Sequence, residues 1–220
     1  MADPSLSLPP SPLWAMDGPG ALAEAARAMR EGGVVAFPTD TVYGVGTAGF
    51  HREGIARIFS LKGRTAEKAL PVLVADAHDL ARVVATVSSQ ALGLIAWFWP
   101  GPLTLVLPRH PDLPPEIAPG QTTVGVRLPE HEQLRALIRL VGSPLASSSA
   151  NLSGSPPARD AQTVRNYFPT GLAAILDGGP VSGGIPSTVL NLSDPDRPTV
   201  LREGGVSRWA LEDVLAQWVY

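Results

Sequence analysis

The sequence predicts a single α/β domain built on a twisted mixed sheet flanked by helices. Three observations carry that prediction. Short apolar runs bounded by proline or glycine alternate with segments of helical periodicity, the pattern of strands and helices sharing one sheet. Several predicted strands follow one another with no helix between them, so some neighbours must be antiparallel. With 220 residues, 45% of them hydrophobic, the chain can build one sizeable core, and no linker divides it after residue 20.

In chain order, residues 1–20, rich in proline and glycine from Pro4 to Gly20, read as a loose N-terminal arm. The arm lacks the basic start and apolar run of a signal peptide. Residues 21–220 are expected to form the domain. Leu22, Ala25, Ala26 and Met29 recur at helical spacing, and Gly32-Gly33 stops that helix. Val34 to Phe37 is an apolar strand ended by Pro38. Thr39 to Gly46 reads as a loop that carries hydroxyls and the Asp40 carboxylate. Strand ends of this kind bind ligands in open α/β sheets, and the same residues also make Asx and Ser/Thr turns.

A helix over Glu53–Leu61 delivers the chain to Lys62-Gly63-Arg64 and Lys68, which include both lysines of the protein. Such a cluster is either an exposed basic turn at a helix C-terminus or a receptor for a polyanion such as a triphosphate. Next come a strand over Leu70–Val74, beginning at Pro71, and helices over Asp79–Val84 and Ser89–Phe98. A corner at Trp97–Pro102 then leads into a strand over Leu103–Leu107, and Pro108–Gly120 is irregular. The strand from Thr122 places Thr123 and Arg127 on one face, because side chains alternate with period two. Glu130–Val141 is helical, and Pro144–Ala146 is a short strand running into the hydroxyl-rich segment Ser147–Ser155. A helix over Ala161–Phe168, strands over Ala173–Leu176, Val189–Leu192 and Val200–Arg202, and a helix over Arg208–Trp218 complete the chain.

Composition removes several chemistries. There is no cysteine, hence no disulfide, thiolate site or Cys nucleophile, and four scattered histidines predict no zinc centre. A formal net charge of −3 makes any polyanion site local. No apolar run approaches the roughly 20 residues of a membrane span, so a soluble cytoplasmic protein with no membrane partner is expected. The chain has no GxxxxGK[ST], no GxGxxG after a strand and no serine in a GxSxG context. What remains is a shared composition in four segments: Thr39–Tyr43, Lys62–Lys68, Ser147–Ser155, and Ser187 with Arg202. Hydroxyls with Lys or Arg suit a nucleotide and a small zwitterion better than hydrolysis.

Several of these segments occur as motifs in one order: Phe37-Pro38-Thr39-Asp40-Thr41-Val42-Tyr43-Gly44, Lys62-Gly63-Arg64, Trp99-Pro100-Gly101-Pro102-Leu103-Thr104, Thr123 to Pro129, Ser149-Ala150-Asn151, Ser187-Thr188-Val189 and Leu201-Arg202. Together they resemble the YrdC-like family, the threonylcarbamoyl-AMP synthases of tRNA modification. The resemblance runs from about Gly32 to Arg202. It implies a YrdC-like fold with a basic concave face. It also implies an enzyme, a nucleotidyltransferase, that joins L-threonine, bicarbonate or CO2, and ATP into threonylcarbamoyl-adenylate with release of pyrophosphate. Partner enzymes would then use the adenylate to modify adenosine 37 of tRNA.

Carried over by the resemblance, Lys62, Arg64, Thr123, Ser149, Asn151 and Arg202 would lie against ATP. Thr39, Arg127, Ser147 and Ser187 would hold threonine, with Tyr43 lining the same pocket. Lys62 and Arg64 would be the catalytic cations, helped by Mg²⁺ arriving with ATP, and no protein metal ligand is implied. Arg127 suits the threonine carboxylate, since a bidentate pair fixes orientation as well as charge. Lys62→Ala should then leave stability within about 1 kcal/mol, as at exposed sites. Two positions depart from the family pattern: Thr65 follows Arg64 where proline is common, and Ala69-Leu70 stands for the usual Pro-Leu. The chain resembles the short, single-domain members. Two other readings are an RNA-binding module using the basic concavity for weak RNA binding, and a YrdC-like paralogue with a different substrate.

Overall fold

Amphipathic patterning accounts for most of the elements. The computed structural model describes residues 9–63 and 69–217. Its strands are β1 (Leu13–Ala15), β2 (Val35–Phe37), β3 (Gly44–Ala48), β4 (Val72–Leu73), β5 (Leu103–Pro108), β6 (Thr123–Arg127), β7 (Leu145–Ser149), β8 (Ala174–Asp177), β9 (Thr188–Asn191) and β10 (Thr199–Arg202). Its helices are α1 (Ala21–Arg30), α2 (Arg52–Lys62), α3 (Ser89–Phe98), α4 (Glu132–Val141), α5 (Ala161–Tyr167) and α6 (Arg208–Ala216). Helix α4 buries Leu134, Leu137, Ile138 and Val141 along one stripe. His131 caps its first turn, accepting from the Leu134 N–H at 3.3 Å, and Gly142 ends it with φ 72°. Helix α2 is framed likewise by His51 and by Gly63 at φ 56°.

All ten strands form one mixed sheet in the order β1-β8-β2-β3-β7-β4-β6-β5-β9-β10. Its two faces are covered unequally. On one face Ile55 and Ile58 of α2, Leu94 of α3, Val164 of α5 and Leu211 of α6 pack on Val45, Val72, Val126, Leu105 and Leu190. On the other, among the described residues, α1 and α4 alone of the helices pack against Val35, Phe37, Leu73, Leu145 and Leu176. Among the described residues this leaves the β6-β5-β9-β10 half of that face without a helix, and the cavity described below occupies it. Among the described residues no helix is long and apolar enough to cross a membrane.

Three expectations are corrected. The arm expected over residues 1–20 is part of the sheet at Leu13–Ala15, where β1 pairs in parallel with β8, and Met16 is buried. Backbone hydrogen bonds to β8 hold this segment, which composition alone does not reveal. Gly44 to Gly46, expected as loop, belong to the buried strand β3. It lacks an apolar alternation because a Cβ on Gly44 or Gly46 would stand only 2.9 or 3.1 Å from the Phe37 ring, which covers both glycines. The helix expected over Asp79–Val84 is a 3₁₀ segment, Ala77–Arg82, set by a capping box between Asp76 and Asp79.

Candidate active site

A cavity of about 580 Å³ lies on the uncovered half of the sheet, within the ~300–1,000 Å³ typical of small-molecule sites. Period-two alternation builds its floor. Thr104 and Val106 of β5, Thr123, Gly125 and Arg127 of β6, Ser147 and Ser149 of β7, and Val189 and Asn191 of β9 all point into it. Their neighbours Leu105, Val124, Val126, Ala146 and Leu190 point to the opposite face and are buried. The expected shared face of Thr123 and Arg127 is therefore found. Thr104, Val106, Val189 and Asn191 were not among the expected site residues, although Thr104 and Val189 fall within the motifs and polar Thr104 between Leu103 and Leu105 carries that signal.

Arg127 is the central cation. Its side chain is 7% exposed and that of its partner Asp40 is 12% exposed, with Nη2 donating to Asp40 Oδ1 at 2.5 Å. Nη1 donates to Thr41 Oγ1 at 3.0 Å and Nε to the Gly101 carbonyl at 3.0 Å. Burial lowers the guanidinium pKa, Asp40 opposes that shift, and Arg202 adds to it. Thr39 is committed to its own loop: its hydroxyl accepts from the backbone N–H groups of Thr41 and Val42 and lies 2.7 Å from the Val42 carbonyl. This is the Ser/Thr turn that the sequence allowed.

Arg202 reaches the same cavity through a break in strand register. Thr199 pairs with Asn191 and Val200 with Leu190, but Arg202 pairs with Val189, so an irregularity after Val200 turns Arg202 to the cavity side. Its Nε and Nη2 donate to the Ser187 carbonyl at 3.2 and 2.7 Å, and burial lowers its pKa. The Ser187 hydroxyl is 2.8 Å from that of Thr104.

Lys62 overturns the expectation of an exposed cluster. It is 3% exposed, does not line the cavity, and donates to the carbonyls of Ser149 and, at 2.6 Å, Asn151, and to Asn151 Oδ1 at 3.2 Å. Asn151 is also set behind the wall, its amide donating to the Ser155 carbonyl at 2.5 Å while Oδ1 accepts from Ser149 Oγ at 2.6 Å. The apolar stem of the lysine and the approach of the 149–151 segment explain this burial. Arg64, Lys68 and Thr65 lie outside the described residues, whereas Ala69 lines the cavity. Thr39, Tyr43, Thr123, Arg127, Ser147, Ser149, Ser187 and Arg202 line it as well.

Tyr43 contributes ring rather than hydroxyl. Its OH donates to the Gly179 carbonyl at 2.8 Å and accepts from the Gly178 N–H at 3.3 Å. Burial, reinforced by Asp177 and Asp160, raises its pKa to about 12 against the Gly178 hydrogen bond, so the phenol stays protonated near neutrality. Tyr43→Phe leaves both backbone groups without this partner and should lower unfolding free energy by about 1–3 kcal/mol in urea titration. An unchanged midpoint would show that water replaces the hydroxyl. Among the described residues no carboxylate, histidine or lysine lines the cavity, which leaves two guanidiniums among hydroxyls, amides and apolar side chains. This arrangement can bind and orient anions but offers no paired nucleophile and base.

Known proteins share this fold and much of this sequence. The Sua5/YciO/YrdC family profile, described as telomere recombination, matches residues 27–204. The threonylcarbamoyl-AMP synthase of Bacillus subtilis is 42% identical over 195 residues, 88% of this chain and 56% of the relative. A crystal structure of P. abyssi Sua5 complexed with L-threonine superimposes with a TM-score of 0.85 at 40% identity, covering 88% of this chain and 56% of that one. E. coli YciO gives 0.81 at 26% identity, covering 90% and 97%. The chain thus spans a little over half the length of the first two relatives.

Proposed function

This chain belongs to the Sua5/YciO/YrdC family, and on that premise we propose that it forms threonylcarbamoyl-AMP from L-threonine, bicarbonate or CO2, and ATP. The observation that carries the reading is the pair of guanidiniums, Arg127 and Arg202, facing one hydroxyl-lined cavity with no acid, histidine or lysine in its wall among the described residues. Such a site favours joining two anions by neutralisation and positioning, without a protein nucleophile.

In the proposed reaction the threonine amine adds to CO2 and loses a proton, giving a carbamate. A carbamate oxygen then attacks the α-phosphorus of ATP: one O–P bond forms, the bond to the bridging oxygen breaks, and pyrophosphate leaves with that electron pair. Arg127 would take the threonine carboxylate, and Ser147 and Ser187 its polar groups. Arg202, Thr123 and Ser149 would face the nucleotide, with Lys62 and Asn151 shaping the Ser149 wall and Arg64 supplying further positive charge. Mg²⁺ would enter with the phosphates, which supply its charged ligands, since no carboxylate lines the cavity among the described residues. The adenylate would pass to a partner that modifies tRNA, in the cytoplasm.

Incubation with labelled threonine, bicarbonate and ATP tests the proposal. The expected products are an adenylate carrying both labels and an equivalent of pyrophosphate that depends on threonine. Pyrophosphate release that responds to a different amino acid would point to a paralogue. No release together with tight RNA binding would identify an RNA-binding module.

A further inference from the structure

Asp40 does not line the cavity, yet it is the carboxylate bonded to the guanidinium that does. Arg127 has five N–H groups, of which Nε spends its one on Gly101 and each terminal nitrogen spends one, on Thr41 and on Asp40. One N–H therefore remains on each terminal nitrogen, and a substrate carboxylate can accept from them. A guanidinium alone has several torsions to lose on binding. Held on three sides it has already lost them. His131 also lies close enough to feel the Asp40 charge, but burial pushes its pKa down, so Arg127 is the cation that balances Asp40.

We propose that Asp40 is a positioning residue: from behind the cavity wall it holds the Arg127 guanidinium oriented, with its two remaining N–H groups available for the carboxylate of the amino-acid substrate. Asp40 does not touch the substrate on this account. The inference rests on reading the cavity as a threonine site.

The test compares L-threonine and ATP binding by calorimetry in the wild-type chain and in Asp40→Asn, which keeps size and an acceptor oxygen but removes the charge. The expected result is a threonine dissociation constant raised about tenfold or more, the loss of roughly one charge-assisted bond, with ATP affinity within about twofold. An unchanged threonine constant, or equal weakening toward both ligands, overturns the proposal, because general damage to the fold would move both. If Asp40→Asn does not fold, Asp40→Glu, which pushes the carboxylate outward by one methylene, is read by the same criterion. Should the wild-type chain itself fail to bind threonine, the functional reading fails and this inference falls with it. Failure confined to the Asp40 variants leaves the functional reading standing.

Discussion

Arg127→Met is expected to destabilise the protein by about 3–5 kcal/mol, because it leaves the Asp40 carboxylate buried without its partner. Thr41 Oγ1 and the Gly101 carbonyl lose their donor in the same step. Methionine fills most of the vacated space, so packing loss is the smaller part of the effect. Against a total stability of roughly 5–15 kcal/mol, this change should bring denaturant unfolding well below the wild-type midpoint. The double replacement Arg127→Met with Asp40→Leu removes both charges and should recover much of the loss, since a buried pair exchanged for apolar groups is often neutral. Threonine binding should stay absent in the double variant. A single-variant cost below about 1 kcal/mol would mean that water reaches Asp40 freely, contrary to its 12% side-chain exposure.

Lys62→Met is expected to combine two losses. The carbonyls of Ser149 and Asn151 and the Asn151 amide oxygen lose an ammonium donor, at a cost of about 1–3 kcal/mol. That exceeds the loss of at most about 1 kcal/mol expected of an exposed lysine. Adenylate formation should fall by about 10²-fold, the size of effect that follows when a wall of the site, here Ser149, is misplaced by about 1 Å. Lys62→Arg should not restore it, because a planar fork cannot satisfy three oxygens gathered round a point charge. Full activity in Lys62→Met would show that the lysine serves the loop alone. Unfolding midpoints and initial rates of pyrophosphate release, measured on the same preparations, separate the two contributions.

What could be read in the sequence was what depends on neighbours along the chain. The stripe of α4, the apolar runs of β2, β5 and β8, and the even spacing of Thr123 and Arg127 follow from local periodicity. The family resemblance assigned roles to eight of the residues that line the cavity, Thr39, Tyr43, Thr123, Arg127, Ser147, Ser149, Ser187 and Arg202. The same reading missed β3, where glycine replaces the apolar alternation because the Phe37 ring packs on the strand backbone. It missed the pairing of β1 with β8, which joins segments far apart in the chain.

By itself, then, the sequence determined an α/β domain with hydroxyls and basic groups at strand ends, because alternation and breaker residues act within a few positions. Only the tertiary structure decided which charges are buried and what they face. The packing of α1 and α4 leaves half of one sheet face open, and the irregularity after Val200 turns Arg202 toward it. Lys62 lies behind the wall, held by carbonyls 87 and 89 residues away, and Asp40 stands behind Arg127 at a separation of 87. Those partners are chosen by the folding of distant segments into contact, and no local pattern encodes the low-dielectric surroundings that set their energies.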